Sequence, residues 1–294
     1  MILVTGGTGF IGPKVVHALR AAEQEVRCLV RQPARATTLK AWRCELAAGD
    51  VTDPASLGAA AAGCDAVVHL VSIIAGKPAD FERVMVAGTH NVLAAAKDTG
   101  VRRVVLMSAL GTSDETKDLV PYYGAKWKME QATKASGLEH VIFRPSFVFG
   151  RDGGALPLFV RQVRWSPVTP VVGDGERRLQ PIWVEDVAAY FAKAVDLPGA
   201  ANRTFELGGP DQVTWNQLYE RIARTLGKRR ARVHLPVGLM RVGAAAAELL
   251  PRPPITRDQL TMLEAGDNIG DIAPAVETFG IAPLPLDEQL RRAA

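Results

Sequence analysis

Short apolar runs alternate with longer amphipathic stretches along the first half of the chain. The apolar runs predict strands over residues 2–4, 25–30, 45–48, 66–71, 103–107 and 139–143. Apolar residues recur at helical spacing over residues 11–22, 81–97 and 122–135. Asp53-Pro54 has the form of a helix N-cap followed by proline. Strands that alternate with helices are typical of βαβ units, so the pattern predicts a parallel sheet covered by helices.

The pattern changes after Arg144-Pro145. Glycine, proline and tryptophan become frequent over residues 147–181, and the alternation of strands and helices weakens. Further on, we predict helices over residues 186–195 and 215–226, with a strand over residues 203–207 between them. From Leu235 onward the chain is predicted to be helical with proline breaks.

Six strands separated by helices are the number expected of a Rossmann-type, doubly wound parallel sheet of the α/β class. We therefore expect a cofactor-binding Rossmann domain over residues 1–146. A smaller C-terminal substrate subdomain is expected over residues 147–294, and part of residues 180–210 is expected to return to the sheet.

Composition and charge exclude several classes of protein. The 294 residues are 48% hydrophobic and 22% charged, as in globular proteins, and the net charge of +4 is too small to indicate a nucleic-acid partner. We expect neither a signal peptide nor a membrane span, because the N-terminus lacks a basic region and no apolar run reaches about 18 residues. The three cysteines form no C-x-x-C pair and have no zinc-ligand spacing with the histidines. We therefore expect no metal and a cytoplasmic compartment.

The most informative motif is the glycine-rich segment between the first strand and the first helix, Thr5-Gly6-Gly7-Thr8-Gly9-Phe10-Ile11-Gly12. A glycine-rich loop in that position is typical of dinucleotide binding. Glycine lets the backbone turn sharply and approach a pyrophosphate, to which the helix N-terminus offers N–H groups. The sequence therefore predicts cofactor contacts from Gly6, Thr8, Gly9, Phe10, Ile11 and Gly12.

The residues after the second and third strands indicate which dinucleotide is bound. NAD-preferring folds carry a carboxylate after the second strand, whereas this chain has Arg31, with Arg35 close behind. A guanidinium suits a ribose 2′-phosphate, so the sequence favours NADP(H). Asp50 and Val51, after the third strand, are expected to lie at the adenine. The alternatives are a solvated Arg31 and a structural turn at Asp50.

These features resemble the short-chain dehydrogenase/reductase superfamily, in its extended or atypical, NAD-dependent epimerase/dehydratase-like branch. Beyond the glycine loop, the resemblance rests on Gly49-Asp50-Val51, Asn91, Tyr122…Lys126, Arg144-Pro145-Ser146 and Val184-Glu185-Asp186-Val187. More narrowly, the chain is similar to the group of the NADPH-binding accessory subunit of respiratory complex I. That similarity lies in Leu29-Val30-Arg31, residues 107–111, 144–150 and 179–184, and Pro253-Pro254-Ile255-Thr256. The family implies further cofactor contacts at Leu70, Lys126 and Pro145.

The resemblance also implies a catalytic pair, Tyr122 and Lys126. Their spacing places both side chains on one face of a helix. A nearby ammonium and a cationic nicotinamide lower the pKa of a phenol, so we expect them to favour phenolate and to fit Tyr122 for proton transfer beside hydride transfer. Tyr123 is the alternative phenol, and an ordinary half-exposed helix is the alternative interpretation of the pair.

Two positions depart from the family pattern. Leu110 stands where active members carry a hydroxyl, for which Thr112 or Ser113 can substitute only if the loop folds back. This puts redox activity in question, but not cofactor binding. Leu179 stands where nucleotide-sugar members carry a clamping arginine. Arg178 is one residue early, which on a strand turns its side chain to the other face and disfavours a nucleotide sugar.

An apolar cluster in the second half indicates either an apolar ligand pocket or ordinary core: Phe147, Val148, Phe149, Leu156, Leu158, Phe159 and Trp183. Three functions therefore stand open. One is an NADP-dependent oxidoreductase acting on a small carbonyl or quinone-like apolar substrate. The second is a non-catalytic NADPH-binding structural or sensor protein of the complex I type. A nucleotide-sugar epimerase is the third, and the sequence identifies no protein partner.

Positive charge is concentrated between Arg221 and Arg257, where nine residues are basic and one is acidic. A basic segment beside a short apolar helix is one way in which a peripheral protein contacts an anionic bilayer. The favoured alternative is that Leu239, Val242 and Leu249 pack on the protein while the arginines face solvent. Membrane contact is therefore an open expectation, and not the preferred one.

Overall fold

The structure is a computed structural model that describes residues 1–248 and 255–294. It divides into two compact units, which are described separately. The first comprises Met1–Pro145, Val184–Leu207 and Ile272–Ala282. The second comprises Ser146–Trp183, Gly208–Asp271 and Pro283–Ala294. Leu249 and the motif residues Pro253 and Pro254 lie outside the described residues.

The elements are numbered in chain order. The strands are β1 (Ile2–Thr5), β2 (Val26–Val30), β3 (Glu45–Ala48), β4 (Ala66–His69), β5 (Arg103–Met107), β6 (Glu139–Pro145), β7 (Val148–Phe149), β8 (Val168–Val172), β9 (Arg178–Leu179), β10 (Ile182–Trp183), β11 (Arg203–Leu207), β12 (Val213–Thr214) and β13 (Ala231–Leu235). The α-helices are α1 (Gly12–Ala21), α2 (Thr37–Ala41), α3 (Leu57–Ala61), α4 (Pro78–Asp80), α5 (Gly88–Asp98), α6 (Pro121–Ala135), α7 (Leu156–Trp165), α8 (Val184–Ala194), α9 (Trp215–Thr225), α10 (Val237–Ala247), α11 (Arg257–Glu264), α12 (Ala273–Phe279) and α13 (Leu286–Ala293). Short 3₁₀ turns lie at Pro33–Arg35, Pro54–Ser56 and Pro198–Ala200.

A seven-stranded parallel sheet forms the centre of the first unit, in the order β11-β6-β5-β4-β1-β2-β3. The strand order reverses at β1, since β2 and β3 lie on one side and β4 to β6 on the other. This confirms the predicted Rossmann-type, doubly wound α/β fold. In such sheets ligands bind at the carboxyl ends of the strands, beside the reversal. Thr5 and His69, which are paired in register, end the two strands at that point.

The inner strands are unbroken apolar runs in the sequence because both faces of the sheet are buried. Leu3 and Val4 in β1 and Val67 and Val68 in β4 are all buried, as expected of a parallel sheet covered by helices. The edge strand β3 is only partly buried, which matches its weaker sequence signal. The predicted boundaries of β1 to β6 differ from the observed ones by two residues or fewer.

Two segments from the later part of the chain complete the first unit. Strand β11 pairs in parallel with β6 at one edge of the sheet. Helix α12 packs there through Phe279, whose ring lies 5.4 Å from that of Phe143 and 5.1 Å from that of Phe205. The predicted helix over residues 81–97 is divided into a π-helix, Phe81–Ala87, and α5.

The second unit has its own core. Phe149, Leu156 and Trp183 are buried in it, and Phe147 and Phe159 pack against it. The core interpretation therefore holds for these members of the apolar cluster, whereas Leu158 is exposed. Strands β8 and β13, which the sequence analysis did not predict, pair in parallel here.

The favoured interpretation of the apolar helix is wrong in the structure. Leu239 is 61% exposed and Val242 is 69% exposed on α10, so neither residue is packed away from solvent. Arg241 forms an ion pair with Glu264 and Arg257 forms one with Glu248. Among the described helices, none is long and apolar enough to cross a membrane.

Arg103 links three elements of the first unit from a buried position on β5. Its Nη1 donates to the carbonyls of Ala194 and Leu197, at and beyond the end of α8, at 2.9 Å each. Its Nε and Nη2 donate to Glu139 on β6 at 3.0 and 2.9 Å. The side chain of the neighbouring Arg102 donates to the same Glu139 carboxylate, and among the described residues it has no bond to the carbonyls of Ala194 and Leu197.

We predict unequal effects for the same substitution at these two neighbours. Arg103→Gln leaves two carbonyls at the end of a helix without donors, so the free energy of unfolding should fall by about 2–4 kcal/mol. Arg102→Gln should change it by less than about 1 kcal/mol, because the Arg102 side chain is 52% exposed against 2% for Arg103. Urea denaturation of the two variants checks this, and equal losses would contradict it.

Candidate functional site

The glycine loop turns so tightly that side chains are excluded at two positions. Gly6 has φ +79°, and a Cβ built there would lie 3.0 Å from the backbone carbon of Leu70. A Cβ on Gly12 would lie 2.2 Å from the carbonyl oxygen of Gly6. The loop therefore lies against the end of β4 and the start of α1, with Thr8 exposed and Phe10 partly exposed. This backbone surface fits the diphosphate of a dinucleotide.

The start of α1 has no side-chain cap of its own. Ile11 makes no side-chain cap hydrogen bond, and the first turn holds no acidic residue. The positive end of the helix dipole is therefore not neutralised by a residue of that turn. This arrangement favours an anion at the loop.

A buried chain of hydrogen bonds lies beneath the loop. The hydroxyl of Thr89 donates to the Met85 carbonyl at 2.6 Å, so its oxygen accepts from His69 Nε2 at 3.1 Å. His69 Nδ1 then accepts from the Thr5 hydroxyl at 2.6 Å. Burial, aided by the charge of Lys126, lowers the pKa of His69 to about 3. A neutral His69 thus ties the end of β1 to the end of β4 and to α5.

Asp50 and Arg31 lie close enough to interact electrostatically. Burial alone would raise the pKa of Asp50, but hydrogen bonds from Thr52 and the charges of Arg31 and Arg83 outweigh burial and hold it below its usual range. One carboxylate oxygen accepts from the Thr52 amide at 2.9 Å and from its hydroxyl at 2.8 Å. The structural turn foreseen as an alternative for Asp50 is therefore present. Arg31 itself is exposed.

Arg83 was missed by the sequence analysis. It lies on the π-helix, is exposed, and contacts Asp80 at 3.5 Å. Its charge acts on Asp50, as that of Arg31 does. Because 33 residues separate Asp50 from Arg83, no spacing in the sequence joins them, and only the fold brings them together. A cation on that helix adds to the positive field beside the carboxyl ends of β2 and β3.

Tyr122 lies half-buried at the start of α6. Its ring packs edge-on to Phe81 at 6.5 Å and beside Tyr123 at 5.9 Å. Burial raises the pKa of the phenol, and a side-chain hydrogen bond with Ser72 opposes that rise only in part. Ser72, which follows β4, is a second residue that the sequence analysis missed. The phenol is therefore protonated at neutral pH.

Lys126 is buried one turn further along α6. Its Nζ donates to the Met107 carbonyl at 2.7 Å and lies 5.7 Å from the centre of the Tyr122 ring. Burial lowers the pKa of Lys126 to about 7, although the charge of Glu130 opposes this. Without the cofactor, burial therefore outweighs any effect of the Lys126 ammonium on Tyr122, and phenolate beside a cationic nicotinamide stays a prediction. Burial disfavours the charged form of both groups.

A buried ion pair holds α6 against the sheet. Glu130, which is fully buried, accepts from Arg144 Nε at 2.9 Å and from Arg144 Nη2 at 2.7 Å. Its Oε1 also accepts from the Ser108 hydroxyl at 2.6 Å. The ends of β5 and β6 are thereby fixed to the helix that carries Lys126. The Pro145 carbonyl, at the end of β6, accepts from the Leu110 amide at 2.9 Å.

Thr112 and Ser113 were the two candidates to replace the hydroxyl that is missing at Leu110. Within residues 1–248 and 255–294, neither forms a hydrogen bond with Tyr122. Leu110 is buried, and the Ser113 hydroxyl lies 3.3 Å from that of Thr116. The Thr112 hydroxyl is buried without a hydrogen-bond partner in the described part of the chain. Ser72 is the hydroxyl that does lie at the phenol.

The position of the nucleotide-sugar clamp lies in the second unit. Leu179 is fully buried there, and Arg178 Nε contacts Asp267 at 2.8 Å. Both residues lie on β9, as the argument from strand alternation assumed. Within residues 1–248 and 255–294, no cluster of His, Cys, Asp and Glu side chains is arranged to hold a metal ion.

Together, the doubly wound sheet, the glycine loop at its reversal point and the cationic surface beyond β2 define a dinucleotide-binding protein. A model of the NAD(P)H-binding family matches residues 6–198. The chain belongs to that family.

Known proteins similar to this chain include enzymes and a complex subunit. It is 27% identical over 235 residues to an NAD(P)H azoreductase of Xenophilus azovorans, covering 78% of this chain and 74% of that one. It is 28% identical over 309 residues to NADH dehydrogenase (ubiquinone) 1 alpha subcomplex subunit 9 of mouse mitochondria, covering 98% and 79%. The expected resemblance to the complex I group is thus confirmed.

A solved structure of similar fold is that of an NADPH-dependent quinone oxidoreductase from Escherichia coli, in complex with NADPH. Its TM-score is 0.81 at 21% identity, and the match covers 99% of this chain and 98% of that one. This likeness supports the fold and, at that identity, nothing more.

We predict a specific pH dependence of stability from Lys126. Its pKa in the folded protein is about 7, below the ordinary 10.5, so between these values the unfolded chain binds more protons. The free energy of unfolding should therefore rise with pH above 7, by up to about 1.4 kcal/mol per pH unit from this group.

Urea denaturation of the protein without cofactor, from pH 6 to 10, measures this effect. The rise due to Lys126 should be absent from Lys126→Met. Lys128→Met removes an exposed lysine of the same helix and should keep it. Parallel pH profiles for the wild type and Lys126→Met would refute a lowered pKa.

Proposed function

We propose that the protein is an NADP(H)-dependent oxidoreductase that reduces a small carbonyl or quinone-like apolar substrate. The observation that carries this proposal is the pair formed by Tyr122 and Lys126. A protonated phenol and a buried amine lie on the helix that packs beside the glycine-loop sheet. We further propose that the first unit binds the cofactor and the second unit binds the substrate.

The residues of the first unit fit the cofactor. The backbone of Gly6, Gly9 and Gly12, with Thr8, Phe10 and Ile11, would hold the diphosphate. Arg31 would bind the 2′-phosphate, since no carboxylate follows β2. The adenine side would be formed by Asp50 and Val51, and the nicotinamide side by Leu70, Lys126 and Pro145.

The raised pKa of Tyr122 suits reduction better than oxidation. The bound cofactor would supply a hydride to the carbonyl carbon. Tyr122 Oη would give its proton to the carbonyl oxygen, so that hydride and proton together form the alcohol. The Ser72 hydroxyl would stabilise the resulting phenolate by donating to it. Lys126, which is poised near neutrality, would return a proton to Tyr122.

A second candidate is a non-catalytic NADPH-binding protein, as the similarity to the mouse complex I subunit suggests. The observation that favours it is Leu110, a buried apolar side chain at the position of the usual hydroxyl. Loss of one oriented donor costs catalysis about two to three orders of magnitude in related settings. A nucleotide-sugar epimerase is not supported, because Leu179 is buried and Arg178 is paired with Asp267.

We predict that NADPH binds about 10- to 100-fold more tightly than NADH, because a guanidinium–phosphate contact is a charge-assisted hydrogen bond. Arg31→Gln should remove most of this preference and leave NADH affinity unchanged. Arg35→Gln is the matched control, since it removes the same charge from an exposed arginine four residues further along the chain. Fluorescence titration of both cofactors measures the affinities, and an undiminished preference in Arg31→Gln would exclude this role.

We predict that Tyr122→Phe abolishes NADPH oxidation by quinones, aldehydes and ketones, with less than about a threefold change in NADPH affinity. Tyr123→Phe, its neighbour on α6, should retain activity. Ser72→Ala should lower kcat by about tenfold or more, because in the proposed mechanism the hydroxyl would donate to the developing phenolate. Steady-state kinetics with each variant decides between the roles.

Each outcome of those kinetics has a definite meaning. Turnover retained in Tyr122→Phe but lost in Tyr123→Phe would assign the proton to the other phenol. A wild type that binds NADPH but oxidises none with any acceptor would favour the non-catalytic candidate.

A further inference from the structure

A basic groove lies within the second unit, and none of its lining residues belongs to the proposed cofactor site. It has a volume of about 520 Å³, within the range of small-molecule sites. The end of α9, the turn after it and the start of β13 form its walls. Five cationic side chains and one acidic side chain line it: Arg224, Lys228, Arg229, Arg230, Arg232 and Glu220.

Three of the five cations are held by protein partners. Arg230 donates to the carbonyls of Val163 and Arg164 at 2.8 and 3.2 Å. Arg224 lies 3.1 Å from Glu220, and Arg232 lies 3.7 Å from the same carboxylate. These contacts fix the walls of the groove and neutralise only one charge.

Lys228 and Arg229 differ from these three. Both are exposed in the turn after α9. Neither forms an ion pair with any residue that the structure describes. Among the described residues, Lys228 and Arg229 are thus the two lining cations whose side chains have neither an ion pair nor a hydrogen-bond partner.

The hydroxyl of Thr169 supplies the second, independent observation. Thr169 lies on β8, lines the groove and is 1% exposed. Its Oγ1 has no hydrogen-bond partner among the described residues. A buried hydroxyl without a partner destabilises a fold, so each such group calls for a reason. A ligand oxygen in the groove would accept from it.

We propose that this groove binds a phosphate-bearing anion. Lys228 and Arg229 would neutralise its charge, and Thr169 Oγ1 would donate to a phosphate oxygen. Several cations converging with one hydroxyl donor suit the several acceptor oxygens of a phosphate group. The site shares no residue with the proposed cofactor site, so it stands independently of the proposed function.

Pyrophosphate binding to the protein saturated with NADP⁺ tests the proposal, because the cofactor then blocks the glycine loop. Calorimetry should show one saturable site. The double variant Lys228→Gln/Arg229→Gln should bind about tenfold or more weakly. The control Arg151→Gln/Arg161→Gln removes the same charge from two exposed arginines outside the groove and should change affinity by less than about twofold.

Thr169 allows a sharper test. Thr169→Val keeps the shape but removes the hydroxyl, so pyrophosphate affinity should fall about tenfold while the Tm of the ligand-free protein rises. Thr169→Ser should restore binding. No saturable site, or equal binding by the wild type, Thr169→Val and the double variant, would overturn the proposal.

The source of the phosphate is decided with vesicles. Flotation with phosphatidic acid in phosphatidylcholine, when competed by pyrophosphate, would assign a lipid headgroup. Pyrophosphate binding without flotation would assign a soluble phosphorylated ligand. A third outcome is that calorimetry shows no site, while flotation persists in the double variant and in excess pyrophosphate. The protein would then bind vesicles by non-specific electrostatic attraction, and the proposed phosphate site would be overturned.

Discussion

The contact on which the site depends is the approach of one backbone segment to another at the glycine loop. The start of α1 lies so close to Gly6 that a Cβ on Gly12 would stand 2.2 Å from a carbonyl oxygen. That approach brings the helix N-terminus to the ends of β1 and β4, where the strand order reverses. The neutral His69 side chain forms hydrogen bonds with Thr5 and Thr89 and so holds those two strand ends together. A larger side chain at Gly12 would move the helix and remove the anion site.

Burial determines the protonation of the second half of the site. Tyr122 and Lys126 both lie where charge is disfavoured, so the phenol keeps its proton and the amine titrates near neutrality. Nearby, the buried carboxylate of Glu130 is stabilised by two bonds from Arg144 and one from Ser108. This pair fixes α6 to the sheet. The site is therefore rigid and largely uncharged around the phenol, which suits proton donation to a developing oxyanion.

Local patterns were sufficient to predict the first six strands and the glycine loop. Each of these is encoded in contiguous residues, such as the apolar run of β5 or the glycines before α1. The hydrogen bond of Ser72 with Tyr122 and the electrostatic effect of Arg83 on Asp50 were not predictable, because each joins residues far apart in sequence. The raised pKa of Tyr122 in the protein without cofactor was not predictable either, because it depends on burial, which the spacing of residues does not report. The exposure of Leu239 and Val242 was not predictable from the sequence either, because it depends on how α10 packs.

The central claim is that this site transfers a hydride. The most direct measurement is the oxidation of NADPH deuterated stereospecifically at the nicotinamide C4, with a panel of quinones, aldehydes and ketones. Stereospecific hydride transfer predicts a primary kinetic isotope effect for one C4 stereoisomer and none for the other. NADPH that is bound but never oxidised above the uncatalysed background, with every acceptor tried, would contradict it.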